Sequence, residues 1–405
     1  MTINKFNDKD DTNTKNADLS FVINAGDTPS IQVGPFFNRP AAKIKGSLFL
    51  DIDHGILYRD TGRIWVPLQL GQQGFPGSQG HQGYRGYQGE QGPQGQQGPQ
   101  GTQGPAGSIL PTSTNLIYVT NVVSNDVSVI DANNTVVATV IVGTTPRGID
   151  VNPTTNRIYV ANNNSDNVSV IDGATNTVIA TVPVGVAPQG VTVNPTTNRI
   201  YVANSTSSTV SVIDGGTNTV IATVTVGTNP FVLNVNPITN RIYVTNYISN
   251  NVSVINGATN TVIATIPVGI RPFGIGVNPL TNGIYVANSL SNFVSIIDGA
   301  SNTVITTVIV GAFPRGVDVN STTNRIYVTN VNDNNVSVID GDTNTTLATV
   351  PVGSNPSGIG VDSLTNKIYV ANVFGDSVSV ISGFSNSVIA TVTVGSTPFG
   401  IGVNP

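Results

Sequence analysis

The sequence predicts an all-β protein in which a seven-bladed β-propeller follows a collagen triple-helix stalk and a small N-terminal β-module. Three observations support this prediction. A unit of about 42 residues recurs seven times, glycine occupies every third position of residues 71–107, and short alternating runs fill residues 41–70. The predicted boundaries are 1–40 for a flexible anchor or docking region, 41–70 for the β-module, 71–107 for the stalk and 108–405 for the propeller.

The N-terminal part combines a polar tail with a short apolar segment. Residues 1–17 are polar and mixed in charge, which is typical of a flexible tail and also compatible with a peptide that docks on an anchoring partner. The runs Ser47–Ile52, Ile56–Arg59 and Arg63–Val66 alternate apolar and polar residues between turn sequences, so they predict a β-meander. A segment this short buries too little surface alone, so we expect copies of itself to complete it in a trimer.

The phase of glycine predicts the stalk. Thirteen glycines, from Gly71 to Gly107, are spaced three residues apart without a break. Three polyproline II strands wind together only when the residue facing the shared axis has no side chain, so this phase predicts a collagen triple helix and a homotrimer. The alternative is a disordered Gln/Gly linker, which needs glycine content but not glycine phase.

One tyrosine marks each C-terminal repeat. These residues are Tyr118, Tyr159, Tyr201, Tyr243, Tyr285, Tyr327 and Tyr369. A period of about 40 to 45 residues with several short strands predicts one propeller blade per repeat. We expect the tyrosines to pack between the sheets with their hydroxyls at a polar edge, rather than to form a stacking platform.

The repeat beginning near residue 185 predicts four strands. From the channel outward they are Gln189–Val193, Arg199–Ala203, Val210–Ile213 and Thr219–Val226. Proline interrupts the last strand at Pro183, Pro267 and Pro351, and proline is tolerated only on an edge strand, so this strand forms the outer rim.

The two ends of the repeat region predict a closed ring. The final segment, residues 396–405, is an inner strand, whereas residues 111–121 begin with a second strand. We therefore expect the C-terminal strand to complete the first blade, which removes the exposed sheet edges of an open array.

The repeats resemble the YVTN-type β-propeller family of surface-layer and lactonase-like proteins. The tetrapeptides that begin at Tyr118, Tyr243 and Tyr327 read Tyr-Val-Thr-Asn, and the other four copies read Tyr-Val-Ala-Asn. The resemblance covers residues 111–405 and implies a seven-bladed propeller, but such folds include both binding proteins and enzymes. The collagen tract in front of it resembles the stalks of phage-type and spore-surface fibre proteins.

Composition argues against most chemistry. The net charge is -5, only 10% of residues are charged, cysteine is absent, and residues 108–405 contain no His, Met or Glu. Catalysis and metal binding draw mainly on those residue types, so we predict no enzyme, no cofactor and no metal site. No basic surface for nucleic acid is indicated, and no run of apolar residues is long enough to span a membrane.

Most of the thirteen Asp residues of the propeller have predicted structural roles. Asp172, Asp214, Asp298 and Asp340 precede Gly in a turn that an Asx side chain caps. A weaker alternative is that Asp166, Asp333 and Asp376, in the variable loops, help to bind Ca²⁺.

Positions that differ between the repeats predict a binding site. The position after the loop proline precedes each inner strand, so these residues should surround one mouth of the central channel. With one further cation, Arg271, the predicted ligand-binding residues are Arg147, Gln189, Phe231, Phe273, Arg315, Ser357 and Phe399. Phe and Arg around one opening suit a glycan, a peptide or a surface polymer. We also predict that Asp150 and Asp318 pair with Arg147 and Arg315. The alternative is that these side chains only plug the channel.

The sequence therefore favours a structural and adhesive surface fibre. We expect a location outside the cell, as a spore-surface appendage or a virion fibre, reached without a secretory signal because the N-terminus lacks an apolar core. Two alternatives stay open. One is a lactonase-like hydrolase displayed on a stalk, and the other is a spacer or lattice component with no ligand.

Overall fold

The computed structural model divides the chain into two compact units, Met1–Thr102 and Gln103–Pro405. It describes residues 115–404 in full and, in the first unit, the backbone of five short strands. The predicted stalk, residues 71–107, lies outside the described residues. No described element is a helix long and apolar enough to cross a membrane.

The five strands of the first unit form one sheet in the order β1-β2-β3-β4-β5. They are β1 (Phe21–Ile23), β2 (Ile31–Gly34), β3 (Leu48–Asp51), β4 (Ile56–Asp60) and β5 (Trp65–Pro67). The last three strands are antiparallel neighbours and match the predicted runs, but β2 and β3 are parallel. Regular structure therefore extends into the range 1–40 that the sequence assigned to a flexible anchor, because two further apolar segments add strands to the sheet.

The second unit consists of seven four-stranded sheets, which we call blades 1 to 7. The inner strands of blades 1 to 7 are β33 (Pro398–Asn404), β9 (Pro146–Asn152), β13 (Pro188–Asn194), β17 (Pro230–Asn236), β21 (Pro272–Asn278), β25 (Pro314–Asn320) and β29 (Pro356–Asp362). The second strands are β6 (Leu116–Asn121), β10 (Arg157–Asn162), β14 (Arg199–Asn204), β18 (Arg241–Asn246), β22 (Gly283–Asn288), β26 (Arg325–Asn330) and β30 (Lys367–Asn372).

The remaining strands of each blade lie farther from the channel. The third strands are β7 (Asp126–Ile130), β11 (Asn167–Asp172), β15 (Thr209–Asp214), β19 (Asn251–Asn256), β23 (Phe293–Asp298), β27 (Asn335–Asp340) and β31 (Ser377–Ser382). The outer strands are β8 (Val136–Ile141), β12 (Thr177–Pro183), β16 (Thr219–Thr225), β20 (Thr261–Pro267), β24 (Thr303–Ile309), β28 (Thr345–Pro351) and β32 (Ser387–Thr393).

The predicted strand order and ring closure are confirmed. The proline-containing strands β12, β20 and β28 are sheet edges, and neighbours within each blade are antiparallel. The C-terminal strand β33 pairs with β6, with Ile401 opposite Val119. Inner strands of adjacent blades contact each other around the whole ring, including β29 with β33 and β33 with β9.

The core lies between neighbouring blades. Tyr118 is fully buried and packs in one cluster with Ile149 and Val151 of the next blade. The predicted packing of the tyrosines between sheets is thus confirmed. The Tyr118 hydroxyl donates to Asn176 Oδ1 at 3.4 Å, as predicted. Five other hydroxyls have no hydrogen-bond partner among the described residues, namely those of Tyr159, Tyr201, Tyr243, Tyr327 and Tyr369.

The side chain of the Asn that ends each second strand joins that strand to the third strand of the same blade. The Asn204 side-chain amide is fully buried and donates to Ser211 Oγ of the third strand at 2.9 Å. A Cβ atom on Gly185 would lie 2.6 Å from Asn204 Cγ, so only glycine fits in front of this amide. A second set of amides joins the blades, since Asn152 of blade 2 donates to Asn198 Oδ1 of blade 3 at 2.8 Å.

Candidate ligand site at the channel mouth

Seven of the eight predicted site residues lie in β-bulges at the start of the inner strands, and the eighth, Arg271, directly precedes one of these strands. In blade 3 the register runs from Pro188–Asn204 to Val191–Val202, so Gln189 and Gly190 together oppose one residue. A bulge interrupts the alternation of side chains and re-aims one of them, which is why bulges occur beside functional sites. The same shift follows the loop proline in the other six inner strands.

Neighbouring bulges touch each other, so the mouth is narrow. A Cβ atom on Gly358 would lie 2.0 Å from the carbonyl oxygen of Phe399 in the next blade. Glycine is required there because the backbones of adjacent bulges approach this closely. The result is a ring of closely packed backbone that carries the variable side chains.

Six of the eight predicted residues surround one cavity of about 130 Å³. These residues are Gln189, Phe231, Phe273, Arg315, Ser357 and Phe399. The cavity is small compared with ligand pockets for drug-sized molecules, which hold roughly 300–1,000 Å³. It therefore has room for the end of a ligand but not for an extended internal stretch.

Aromatic rings and guanidinium groups contact one another across the mouth. The Phe231 and Phe273 ring centres are 4.2 Å apart. The Arg315 Cζ atom lies 4.6 Å from the Phe273 ring centre and 5.1 Å from that of Phe399, and Arg147 Cζ lies 5.2 Å from Phe399. These cation–π contacts hold Arg147 against the same cluster as the six cavity residues.

The eighth predicted residue, Arg271, lies outside the cavity. Its guanidinium group stacks on Tyr247, with Cζ 4.7 Å from the ring centre, and Tyr247 in turn contacts Phe231 at 5.7 Å between ring centres. Sequence reasoning did not single out Tyr247 as a site residue. The signal was available, because the residue after the Asn that ends each second strand also differs between repeats and reads Ser in blades 3 and 5.

The threonine of the Tyr-Val-Thr-Asn motif hydrogen-bonds to the backbone of the bulges at the mouth. In blade 6 the Thr329 hydroxyl accepts from Gly316 N at 2.8 Å and donates to Ser357 O of the next blade at 2.8 Å. Thr120 and Thr245 likewise donate to the carbonyls of Arg147 and Phe273. These hydroxyls fix the backbone of the bulges in blades 2, 5, 6 and 7, which keeps the side chains of the site in position.

The predicted pairing of Asp150 with Arg147, and of Asp318 with Arg315, is wrong. Asp318 accepts instead from Val319 N and, across the blade boundary, from Val361 N, each at 2.8 Å. Asp150 accepts in the same way from Val151 N and Val193 N. The bulge separates each Arg from the regular part of its strand, so the two side chains have different surroundings. Burial raises the pKa of Asp150 to about 6 and that of Asp318 to about 7.

These raised pKa values predict that stability falls as pH rises. Between pH 4 and 7 the unfolded chain has lost the Asp318 proton while the folded chain keeps it, so the free energy of unfolding falls by roughly 2–4 kcal/mol. Asn234 occupies the equivalent place in blade 4, where it accepts from Val235 N. We expect Asp318→Asn to flatten this pH dependence in urea unfolding. Parallel curves for variant and wild type from pH 4 to pH 8 would contradict the assignment.

The remaining Asp residues have structural partners. As predicted, Asp214 Oδ1 caps its turn by accepting from Gly216 N at 2.8 Å. The Ca²⁺ alternative is not supported, because Asp166 and Asp376 accept from the loop amides of Ala187 and Thr397. Asn250 does the same for Arg271 N in another blade, so no charge is needed. Within the described residues no group of three or more His, Cys, Asp or Glu side chains is arranged to hold a metal.

Comparisons with known proteins support both parts of the fold. The collagen triple helix repeat family matches residues 67–112, and that repeat implies association of three copies. A search of the curated proteins found no match. The collagen match covers a short part of the chain. No comparison names the YVTN-type family, so the resemblance of residues 111–405 to that family stays a prediction.

Solved structures resemble the propeller at low identity. Hydrazine synthase of Kuenenia stuttgartiensis has a TM-score of 0.59 and 20% identity over 64% of this chain and 90% of that one. A functionally unknown protein of Desulfotomaculum acetoxidans has a TM-score of 0.64 and 15% identity, over 71% and 98%. Dihydro-heme d1 dehydrogenase NirN in complex with DHE has a TM-score of 0.53 and 13% identity, over 69% and 64%. These likenesses show the fold alone.

Proposed function

We propose that this chain is a non-enzymatic surface fibre protein, in which a trimeric stalk presents propeller heads that bind a ligand outside the cell. The observation that carries the proposal is the combination of collagen repeats over 67–112 with one closed propeller whose blades differ at the channel mouth. Ring packing requires the blades to be alike, whereas recognition requires them to differ. A spore surface or a virion is the setting we propose, with the N-terminal region attached to an anchoring partner.

Adhesion is tested with the full-length protein. We expect it to bind to glycans or to whole cells, and a variant with Arg147, Phe273, Arg315 and Phe399 all changed to Ala to lose at least tenfold in affinity, because aromatic and Arg anchors dominate such interfaces. Because a quadruple variant can misfold, Arg147→Gln with Arg315→Ser serves as a second variant, since Gln189 and Ser357 occupy the same place in other blades. Unchanged binding by a folded variant would show that the ligand does not bind at this mouth, and no binding by the wild type would favour a spacer without a ligand.

A hydrolase displayed on a stalk is the second candidate. The observation that favours it is the raised pKa of Asp318, since shifted pKa values often mark catalytic groups. Against it, both carboxylate oxygens of Asp318 accept backbone N–H groups, and Asp318 is not among the residues that surround the cavity. Hydrolysis of lactone or ester substrates by the wild type, lost in Asp318→Asn, would establish this second function in place of the first.

A further inference from the structure

The two guanidinium groups at the mouth have no carboxylate partner among the described residues. The ion pairs within 115–404 join Arg157 to Asp172, Arg199 to Asp214 and Arg325 to Asp340. These ion pairs lie at the opposite end of the blades from the mouth. Arg157, for example, begins the second strand of blade 2 and is opposite Asn152, the last residue of the inner strand β9. The charges of Arg147 and Arg315 are therefore not neutralised within this part of the molecule.

The propeller fold does not require these two cations. The same bulge position is Gln in blade 3, Ser in blade 7 and Phe in three others. Placing two like charges near one another is unfavourable, and burial together with the charge of Arg147 lowers the pKa of Arg315 to about 10. An arrangement that costs stability and that the fold does not need is typical of a binding site.

The polar atoms left without partners define what the site can accept. The Nε atoms of Arg147 and Arg315 and the Oε1 atom of Gln189 are buried and have no hydrogen-bond partner among the described residues. A guanidinium group stacked on a ring still donates in its own plane, so both Arg side chains can bind an oxyanion. Gln189 Oε1 can accept from a hydroxyl, which chloride and sulfate do not supply.

The aromatic surface and the cavity size restrict the ligand further. Phe231 and Phe399 are partly exposed beside the two cations, whereas Phe273 is buried between Phe231 and Arg315. The two partly exposed rings supply an apolar surface that suits the apolar face of a sugar ring. The cavity of about 130 Å³ takes the end of a ligand only. An acidic group, hydroxyls, a flat apolar face and a terminal position belong together in the acidic end sugar of a glycan.

We propose that the channel mouth binds a glycan by a terminal sugar with an acidic group, which lies between Arg147 and Arg315 while Gln189 accepts one of its hydroxyls. This inference rests on the proposed function, because it names the ligand class of the same site. A carboxylate and a sulfate ester share the required chemistry, and the experiment distinguishes them.

The experiment is titration calorimetry of the full-length protein with 3′-sialyllactose, 3′-sulfolactose and lactose, which share one neutral core. We expect 3′-sialyllactose, 3′-sulfolactose or both to bind at least tenfold more tightly than lactose. The affinity of this binding should fall as the salt concentration increases. Arg315→Gln introduces the side chain that blade 3 carries at Gln189, and it should weaken that binding tenfold to a hundredfold. Arg241→Gln is the matched control, since it removes one positive charge from the opposite end of a blade.

Each outcome decides the inference. Preference for the acidic sugars, lost in Arg315→Gln and kept in Arg241→Gln, supports it, and the stronger of the two acidic ligands identifies the acid. Equal binding of all three sugars, or equal effects of the two variants, overturns the acidic ligand but leaves the adhesive function standing. Binding to cells without binding to any acidic glycan also overturns the acidic ligand and leaves the adhesive function standing. Binding to neither cells nor glycans overturns both.

Discussion

Removing residues 396–405 should abolish the cooperative folding of the propeller. This deletion removes β33, which is the inner strand of blade 1 and the bridge between β29 and β9. It leaves β6 as an open edge and exposes Leu116 and Val119, which are buried in the intact ring. We expect the free energy of unfolding to fall by more than about 5 kcal/mol, which is comparable to the whole stability of a domain. Urea unfolding followed by circular dichroism measures this loss.

A transplant of the same ten residues controls for this deletion. Placed directly before Ser113, the segment again ends in Asn-Pro ahead of Ser-Thr-Asn, which matches the Asn-Pro-Thr-Thr-Asn turn of the other blades. Since the inner strand then precedes β6 in the same blade, we expect cooperative unfolding to return. A deletion variant that unfolds at the wild-type urea concentration would show that the ring does not depend on closure by the C-terminal strand.

Gly89→Ala should disrupt the stalk. Gly89 occupies the glycine position of a central triplet, and a methyl group does not fit at the axis of a collagen triple helix. Only Pro76, Pro93, Pro99 and Pro105 support the tract, so we expect little tolerance and loss of the triple-helix melting transition at physiological temperature. Thermal circular dichroism of the full-length protein measures it.

Gln88→Ala is the matched control for this substitution. Gln88 is the last residue of the preceding Gly-X-Y triplet, and a triple helix accepts side chains at that position. Equal melting of the two variants would contradict a triple helix and support the linker alternative. A transition lost in Gly89→Ala alone supports the stalk.

The fold was largely predictable because its signals are local and repeated. The 42-residue period, the turn sequences and the edge prolines determined the strand order, and β14 (Arg199–Asn204) lies within one residue of its predicted bounds. The grouping of site residues was also predictable, since a position that begins every inner strand must lie at one end of the ring. Six of the eight predicted residues do surround one cavity.

Side-chain partners were less predictable because they depend on neighbouring blades. The Pro-Arg-Gly-x-Asp spacing places Arg315 and Asp318 close together in sequence, yet the bulge turns one toward Phe273 and leaves the other bonded to Val361 N. The role of Tyr247 has the same origin, since its contact with Phe231 joins two segments that no local pattern relates. The strands β1 and β2 were missed because β2 joins the sheet by parallel pairing with β3, which no hairpin turn in the sequence indicates.

The native mass of the full-length protein tests the central claim most directly. Sedimentation equilibrium should give three times the 42.0 kDa of one chain, because collagen repeats require three strands around one axis. The fragment 108–405, which lacks the repeat, should sediment as one chain. A full-length mass of 42.0 kDa would contradict the account, since a single propeller on a single strand cannot form the proposed fibre.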